Sequence, residues 1–304
     1  EAAFCHFGQI SGVFKVQCSS VGIIGLGLIG GSMGKRLLQC GWTKSVLGWD
    51  SDENVLKRAL VSEAITEICG PQQMVRQVDL LILATPPGQM VRLSQRIAFH
   101  SGDNLTAVTD TASTKHLLSK ELSDIWRERY VGLHPMAGKE KGGIDNASAD
   151  LFVSAVCGLV PTASSSKNAL ELARELICAL GAKPVMISPE EHDEILAVTS
   201  HLPMFLATAL TALAAARASK HKDLPKFIAG GFKDTTRVAS CPPWLIADVW
   251  ETNKGFVSQA IKDFIHILSE MSKMDPKDLL NFAGEAKESR DGLLAQRGET
   301  NDRN

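Results

Sequence analysis

Residues 20–50 decide the fold of this chain, and they read SVGIIGLGLIGGSMGKRLLQCGWTKSVLGWD. A short apolar run ends in GLGLIG at residues 25–30, which matches the pattern G-x-G-x-x-G, and helical spacing follows at residues 30–39. A second short strand at residues 46–49 ends at Asp50, an acid twenty residues beyond Gly30. Strand, glycine turn, helix, strand and acid in this order are typical of a dinucleotide-binding fold.

The three glycines of this turn have different predicted roles. Gly25 permits a tight turn, Gly27 lets the backbone approach a pyrophosphate, and Gly30 lets the helix pack closely against the strand. The N–H groups at the start of the helix, where Leu28 and Ile29 lie, and the helix dipole then favour phosphate groups. These five residues are the predicted phosphate-binding turn.

The acid Asp50 indicates which dinucleotide is bound. Its carboxylate can accept hydrogen bonds from both hydroxyls of an adenosine ribose, and it would repel a 2′-phosphate. The next three residues are Ser51, Asp52 and Glu53, so no arginine follows. The sequence therefore favours NAD over NADP as the cofactor.

Further short apolar runs continue the pattern along the first half of the chain. The run DLLILA at residues 79–84 is followed by Thr85 and Pro86, and strand-like segments lie at residues 105–109, 130–133, 155–160 and 184–187. Continuous apolar strands separated by helical segments predict a parallel sheet covered on both faces. Loops at the carboxyl ends of such strands line the cofactor crevice, so Thr85 and Pro86 are candidate cofactor residues. A proline-stiffened turn without a binding role explains them equally well.

The pattern becomes helical from residue 188 onward. Helices are predicted at residues 189–218, 223–228, 245–272 and 276–288, and Ser188 before Pro189 predicts the first N-terminal cap. We therefore expect an α/β chain with a Rossmann-type doubly wound sheet at residues 20–187 and an all-α domain at residues 188–290. An N-terminal extension at residues 1–19 and a flexible tail at residues 291–304 complete the predicted organisation.

One helical stretch is apolar enough to raise the question of a membrane. Residues 195–216, ILAVTSHLPMFLATALTALAAA, carry no formal charge, and 22 residues could span a bilayer. The stretch nevertheless contains Thr199, Ser200, His201 and Pro203, and many of its apolar residues are alanine. We favour a helix buried in a large or shared core over a membrane span.

Composition excludes several other classes of protein. The 304 residues are 44% hydrophobic with a formal net charge of −2, so no basic face favours nucleic acid or a membrane surface. The seven cysteines include no C-x-x-C pair, which indicates reduced thiols in a cytoplasmic protein. No pair of histidines has the spacing of a metal site, so no metal is predicted.

Three residues outside the glycine turn carry candidate chemistry. His134 begins HPMAGKEKGG at residues 134–143, His201 lies beside Pro203, and Arg237 ends GGFKDTTR at residues 230–237. Each has an ordinary explanation when it is taken alone. A loop histidine is often a surface residue, a histidine in an apolar helix is often a core residue, and an arginine after two threonines is often solvated.

Taken together and in order, the motifs resemble the prephenate/arogenate dehydrogenase family over residues 20 to about 270. They are GLGLIGGS at residues 25–32, VTDTASTK at 108–115, HPMAGKEKGG at 134–143, SHLP at 200–203 and GGFKDTTRVA at 230–239. The resemblance implies oxidative decarboxylation of prephenate to 4-hydroxyphenylpyruvate, or of arogenate to tyrosine, in tyrosine biosynthesis. Hydride would be transferred to NAD.

The resemblance also implies a role for each of five residues. His134 would accept the proton of the substrate's 4-hydroxyl, and Ser113 would bind the same hydroxyl or the nicotinamide. Arg237 would hold the ring carboxylate through a bidentate contact. His201 matches a position in the substrate pocket, and Glu140 matches an acidic residue at the mouth of that pocket.

The family's helical domain pairs two subunits, so the resemblance implies a homodimer whose interface covers the uncharged helix. We expect a monofunctional protein, without a mutase or regulatory domain. Two positions depart from the family pattern. Met204 stands where many members have a second histidine, and Ile246 where many have a tryptophan. They leave the choice between prephenate and arogenate open.

Two other functions are considered beside this one. A β-hydroxyacid dehydrogenase or imine reductase resembles the chain in its first 100 residues. Those enzymes rely on a K-x-x-x-N helix, and here that spacing occurs at Lys277 and Asn281, far from any glycine turn. A non-catalytic NAD-sensing module would not need both His134 and Arg237.

Overall fold

A computed structural model describes residues 18–139 and 141–297 of the chain. The chain divides into two units, the first ending at Lys254 and the second beginning at Gly255. The predicted N-terminal extension at residues 1–19 lies outside the described residues, except for Cys18 and Ser19.

The centre of the first unit is a five-stranded parallel sheet with the strand order β3-β2-β1-β4-β5. The strands are β1 (Ser20–Ile24), β2 (Ser45–Trp49), β3 (Glu67–Ile68), β4 (Leu80–Leu83) and β5 (Ala107–Asp110). The helices between and after them are α1 (Leu28–Gln39), α2 (Glu53–Val61), α3 (Pro71–Met74), α4 (Pro87–Ile97) and α5 (His116–Trp126). All five strands are parallel, but β2 and β3 are added on one side of β1 whereas β4 and β5 are added on the other. Folds of this type bind their ligands at this switch point between β1 and β4. This topology confirms the predicted Rossmann-type sheet.

The apolar strand β4 contributes to both faces of this sheet. Leu80 and Ile82 belong to a core cluster with residues of α1 and α2, whereas Leu81 and Leu83 belong to a second cluster with residues of α3, α4 and α5. Successive side chains of a strand point to opposite faces, so a strand buried on both sides must be apolar at every position.

A smaller sheet of three strands continues the first unit, in the order β6-β7-β8. Its strands are β6 (Val131–Pro135), β7 (Val156–Pro161) and β8 (Lys183–Met186), and α6 (Lys167–Ala179) lies between the last two. The sequence predicted parallel pairing throughout, but β6 is antiparallel to β7. The described residues between these two strands form no α-helix, and antiparallel pairing needs no crossover helix.

The helical half of the first unit begins as predicted. Ser188 precedes α7 (Pro189–Leu196), and its hydroxyl accepts the N–H of Glu191 at 3.2 Å. The predicted single helix at residues 189–218 contains a π-helical turn at Ala197–His201, after which α8 (Leu202–Ala218) begins. Pro203 has no N–H for the helical ladder, and its ring crowds the carbonyl of Thr199 four residues earlier, so the helix widens there.

Two of the remaining predicted helices are shorter or more divided than expected. The segment at residues 223–228 is a 3-10 turn at Leu224–Phe227, and α9 (Gly230–Thr236) follows. The predicted helix at residues 245–272 is two helices, α10 (Pro243–Thr252) and α11 (Lys254–Met271). They are separated by Asn253, which has φ −130° and ψ 28°.

The second unit contains most of α11 and all of α12 (Pro276–Arg297), which runs beyond its predicted end at residue 288. Part of the predicted tail, residues 291–297, is therefore helical. The domain boundaries proposed from the sequence stay predictions.

The segment Pro189–Ala218 is long and apolar enough, by length and composition alone, to cross a membrane. Its most apolar window has a mean hydropathy of 1.6, and 33% of that window is buried within the chain. Much of the apolar surface of this segment is therefore not covered by the described residues.

Candidate active site

The turn between β1 and α1 has the geometry that its three glycines predict. Gly25 has φ +95°, a conformation that favours glycine, and a Cβ there would lie 2.5 Å from the carbonyl oxygen of Ala84. A Cβ on Gly30 would collide with the carbonyl oxygen of Gly25. A Cβ on Gly27 would meet no atom within 4 Å, so this side of the turn is open to a ligand.

Two features of this crevice fit a dinucleotide. Helix α1 starts after Gly27 without a side-chain cap, so the N–H groups near Leu28 and Ile29 have no side-chain acceptor at that position. In the loop after β4, the buried Oγ1 of Thr85 has no hydrogen-bond partner among the described residues, and the exposed Pro86 precedes α4. Uncapped amides suit phosphate oxygens, and an unpartnered buried hydroxyl suits a polar ligand.

Asp50 lies just beyond β2, and its carboxylate is oriented by two backbone groups. Its Oδ2 accepts the N–H of Leu26 at 2.9 Å, and its Oδ1 accepts the N–H of Asp52 at 3.0 Å. An ionised carboxylate has about four acceptor positions, so two remain for the hydroxyls of a ribose. The predicted ribose contact of Asp50 is compatible with this geometry.

The buried imidazole of His134, on β6, begins a chain of three side chains. Its Nδ1 lies 2.9 Å from Nε2 of His192, and Nδ1 of His192 lies 2.8 Å from Oδ1 of Asp193 on α7. A carboxylate only accepts hydrogen bonds, so Nδ1 of His192 is the donor to Asp193. In neutral His192, Nε2 therefore accepts the proton on Nδ1 of His134. This order leaves Nε2 of His134 with a lone pair that can accept a proton.

The surroundings of His134 keep it neutral. Burial holds the pKa of His134 well below its usual value of 6.5, and the nearby Lys115, His192 and His201 lower this pKa further. The imidazole is therefore unprotonated at neutral pH, as a general base must be.

The carboxylate of Asp193 also holds the start of α5. Its Oδ1 accepts the N–H of Lys115 at 2.7 Å, and its Oδ2 accepts the N–H of His116 at 2.8 Å. A carboxylate is a favourable acceptor for the unsatisfied N–H groups at a helix start. Asp193 thus orients His192 and fixes the end of the loop that carries Ser113.

A fully buried ion pair fixes the same loop from within. Nζ of Lys115 lies 2.7 Å from Oδ1 of Asp110, and it also donates to the carbonyls of Ala112 at 2.6 Å and Thr114 at 3.4 Å. Both carbonyls belong to the immediate neighbours of Ser113. The ammonium therefore has three acceptors and restrains the backbone on both sides of this serine.

His201 ends the π-helical turn, and its ring is buried. Its Nδ1 lies 3.1 Å from Nδ2 of Asn253, which also donates to the backbone carbonyl of Asp193 at 2.9 Å. Nε2 of His201 is buried without a hydrogen-bond partner among the described residues. Burial lowers the pKa of His201 to about 4, against an opposing effect of Asp193. A buried polar atom without a partner is a candidate contact for a ligand.

The hydrogen-bond network joins His134 to His201, and neither Arg237 nor Ser113 takes part in it among the described residues. Arg237 lies in an exposed 3-10 turn packed against α8, and no ion pair or hydrogen bond links its guanidinium to another described residue. Ser113 is half-buried in the loop between β5 and α5. Glu140 lies outside the described residues. The roles of these three residues stay predictions.

Two family models match the chain over most of its length. The model described as prephenate dehydrogenase, nucleotide-binding domain, matches residues 33–186, and the one described as prephenate dehydrogenase, dimerization domain, matches residues 188–280. The chain belongs to the prephenate dehydrogenase family. Prephenate dehydrogenase of Bacillus subtilis (strain 168) is 33% identical over 91% of this chain and 76% of its own length. Cyclohexadienyl dehydrogenase of Zymomonas mobilis is 29% identical over 89% of this chain and 94% of its own length.

Solved structures of the prephenate dehydrogenase family share this fold. Prephenate dehydrogenase from A. aeolicus, in complex with hydroxyphenyl propionate and NAD+, superposes with a TM-score of 0.86 at 28% identity, covering 92% of this chain and 100% of that one. Synechocystis arogenate dehydrogenase superposes with a TM-score of 0.79 at 26% identity, covering 90% of this chain and 99% of that one.

Four residues of this buried hydrogen-bond network have no role predicted from the sequence: Lys115, His192, Asp193 and Asn253. A histidine followed by an aspartate in the first turns of a helix, directly after the cap at Ser188, is a local signal for two of them. Asn253 has no such signal, because the helical pattern continues through it on both sides.

Proposed function

We propose that this protein oxidises and decarboxylates prephenate to 4-hydroxyphenylpyruvate, with NAD+ as the hydride acceptor, as a step of tyrosine biosynthesis. The observation that carries the proposal is the buried chain of hydrogen bonds from Asp193 through His192 to His134. It supplies an oriented, neutral base within a dinucleotide-binding fold. Similarity to a prephenate dehydrogenase at 33% identity supports the same activity.

In the first step, Nε2 of His134 accepts the proton of the substrate's 4-hydroxyl as hydride leaves C4. Loss of hydride makes this hydroxyl strongly acidic, so a base of low pKa is sufficient. The imidazolium that forms at His134 donates to His192, and the carboxylate of Asp193 stabilises the positive charge through that ring. Bound NAD+ supplies the hydride acceptor.

In the second step, the bond between the ring and its carboxylate breaks. Its electron pair enters the ring, which becomes aromatic as CO2 leaves, and the phenolic oxygen takes back the proton from the imidazolium of His134. Arg237 is proposed to hold the ring carboxylate in a bidentate contact, and Ser113 to bind the 4-hydroxyl or the nicotinamide. Glu140 is proposed to lie at the mouth of the pocket. Positioning of this kind reduces the entropic part of the barrier.

We propose NAD rather than NADP as the cofactor, bound by the glycine turn and by Asp50. The open side of the turn at Gly27 and the unpartnered hydroxyl of Thr85 support this assignment. A carboxylate already held by two backbone N–H groups would face the 2′-position of the ribose, where a phosphate would be repelled.

Arogenate is a second candidate substrate, because the chain is similar to Synechocystis arogenate dehydrogenase over 90% of its length. Met204, which stands where many members of the family have a second histidine, bears on the choice between prephenate and arogenate. Its side chain is buried, and its sulfur lies 3.5 Å from Sγ of Cys241, so no formal charge is placed at this position.

We further propose a cytoplasmic homodimer that binds no nucleic acid and no membrane. The match of a dimerization domain to residues 188–280 and the exposed apolar side chains of Val198 and Leu213 support pairing through the helical half. No two cysteines among the described residues form a disulfide, which is compatible with a reducing compartment.

The proposed function is tested by mixing purified protein with prephenate or arogenate and with NAD+ or NADP+, in all four combinations, while NADH absorbance is recorded. We expect the fastest reduction with prephenate and NAD+. His134→Asn should lower kcat by roughly 10²–10⁴-fold while NAD+ binding is kept. An unchanged absorbance with both substrates and both cofactors would refute the proposal.

A further inference from the structure

We propose that Asn253 is a positioning residue that fixes the proton of neutral His201 on Nε2. His201 would then present a single N–H donor to an oxygen acceptor of the substrate, either a carboxylate or a keto oxygen. The identity of the substrate rests on the proposed function, whereas the position of the proton does not.

The contacts of Asn253 determine which way its amide points. One end of the side-chain amide lies 2.9 Å from the backbone carbonyl oxygen of Asp193, and a carbonyl oxygen only accepts hydrogen bonds. The amide atom that faces this carbonyl must therefore be the nitrogen. The side chain is 3% exposed, so water does not offer the amide an alternative arrangement.

The same amide nitrogen determines the tautomer of His201. It lies 3.1 Å from Nδ1 of His201, and an amide nitrogen donates but does not accept. Nδ1 must therefore accept, and in the neutral ring the single proton lies on Nε2. Burial lowers the pKa of His201 to about 4, so this neutral form is the one present at neutral pH.

The break between α10 and α11 places the amide where it can make both contacts. Asn253 is the first residue after α10, and its backbone N–H still bonds to the carbonyl of Val249 at 2.8 Å. One hydrogen of the amide is used by Asp193 and the other by His201. The same asparagine therefore connects His201, the proposed hydrogen-bond donor to the substrate, with Asp193, which orients His192.

The result is a buried N–H group at Nε2 of His201 that has no acceptor among the described residues. Leaving a buried donor unpaired is unfavourable, and an acceptor-only group of a ligand would satisfy it. A carboxylate or keto oxygen has this property, whereas an ammonium group, which only donates, would not bind there. The donor thus selects for the oxygen atoms of the substrate side chain.

The first experiment needs no substrate. Protein labelled with ¹⁵N-histidine is examined by long-range ¹H–¹⁵N NMR, which distinguishes protonated from unprotonated ring nitrogens, and His201→Ala assigns the signals. We expect a protonated Nε2 and an unprotonated Nδ1. In Asn253→Asp the new carboxylate accepts, so the proton should move to Nδ1. A wild-type Nδ1 that carries the proton would overturn the proposal.

The matched control is Thr252→Val. Thr252 is the adjacent residue, and its hydroxyl contacts that of Thr114 rather than His201. This variant should leave the ring signals of His201 unchanged. If it moves them as much as Asn253→Asp does, the effect is a general loosening of the end of α10, and the proposed role of Asn253 is wrong.

The second experiment is a double-mutant cycle on activity. Asn253→Asp should raise KM for the substrate about tenfold, the loss expected for a hydrogen bond to a charged group, with little change in kcat. Asn253→Asp should have almost no effect on KM in the His201→Ala background, since the imidazole on which Asn253 acts is then absent. Additive effects of the two substitutions on KM would contradict the proposal.

Asn253→Leu is the alternative variant for the NMR experiment if Asn253→Asp does not fold. It removes both donated bonds, so the ring signals of His201 should no longer report a single protonated Nε2. If instead the wild-type pattern persists, the proton is held by something else and the proposal fails. A protein that shows the expected NMR pattern but oxidises no substrate would refute the proposed function and leave the proton assignment intact.

Discussion

At the scale of single residues, one carboxylate organises much of the site. Asp193 accepts hydrogen bonds from His192, from the backbone of Lys115 and from the backbone of His116. Each bond is directional, so the ring of His192 and, through it, the ring of His134 have one orientation. The orientation of His134, the proposed base, is therefore fixed by a carboxylate that bonds to His192 rather than to His134 itself.

The lowered pKa of His134 predicts the pH dependence of the reaction. The neutral ring is the active form, so kcat/KM should be constant above the pKa in the folded protein and fall as the pH drops through it. Because burial holds this pKa below 6.5, the fall should occur at a lower pH than for an ordinary histidine. A pH profile of kcat/KM with a midpoint at or above 6.5 would contradict this assignment.

Replacing His192 by phenylalanine keeps a ring of similar shape but removes both of its hydrogen bonds. We expect kcat to fall roughly 10- to 100-fold, because His134 loses the partner that fixes its tautomer and stabilises its charged form. Equilibrium binding of NAD+ should be unchanged and provides the control. A variant with wild-type kcat would show that the hydrogen bond to His192 has no part in the reaction.

At the scale of elements, the turn between β1 and α1 contains two glycines with different structural roles. A Cβ on Gly30 would collide with the backbone of Gly25, whereas a Cβ on Gly27 would meet no atom within 4 Å. Gly30 is therefore needed for the packing of α1, whereas Gly27 leaves the space in front of this helix open to a ligand.

This difference predicts that two alanine variants differ in their effect on stability. Gly30→Ala should lower the free energy of unfolding by about 1–3 kcal/mol, as overpacking does, and weaken NAD+ binding as well. Gly27→Ala should leave stability nearly unchanged and weaken NAD+ binding alone. Urea denaturation and calorimetric titration with NAD+ measure the two quantities. Equal losses of stability would contradict the packing argument.

Local sequence was sufficient where a local rule decides the structure, as in the glycine turn, the apolar strand β4 and the cap at Ser188. It was insufficient where distant contacts decide. The antiparallel pairing of β6 depends on which strand it meets, and the break at Asn253 is accompanied by bonds to Asp193 and His201. The importance of His134 and His201 was predicted through a family resemblance, but their connection through buried hydrogen bonds was not.

At the scale of the whole molecule, the apolar segment that contains α8 is only partly covered by the described residues of one chain. The most apolar 18-residue window of Pro189–Ala218, the segment that contains α8, is 33% buried, and Leu213 is 56% exposed. An apolar surface of this extent favours association. The match of residues 188–280 to a dimerization domain supports a second copy of the chain as the partner.

The substitution Leu213→Arg tests this interface. We expect it to shift the protein from dimer to monomer at micromolar concentration in light scattering coupled to size exclusion, because a buried unpaired charge is unfavourable. Phe99→Arg is the control, since Phe99 is 75% exposed but lies in the nucleotide-binding half. If the Leu213 variant stays dimeric, or if both variants dissociate, α8 is not the interface.

The position of Asp193 also has a consequence for dissecting the protein. The two family models meet between residues 186 and 188, yet this carboxylate, from the second region, completes the start of α5 in the first. A fragment cut at the boundary would contain the entire nucleotide fold but would lack the acceptor for two helix amides and the partner of His134. Such a fragment would carry the proposed base without the residues that orient it, so two regions that match separate family models depend on each other at the proposed site.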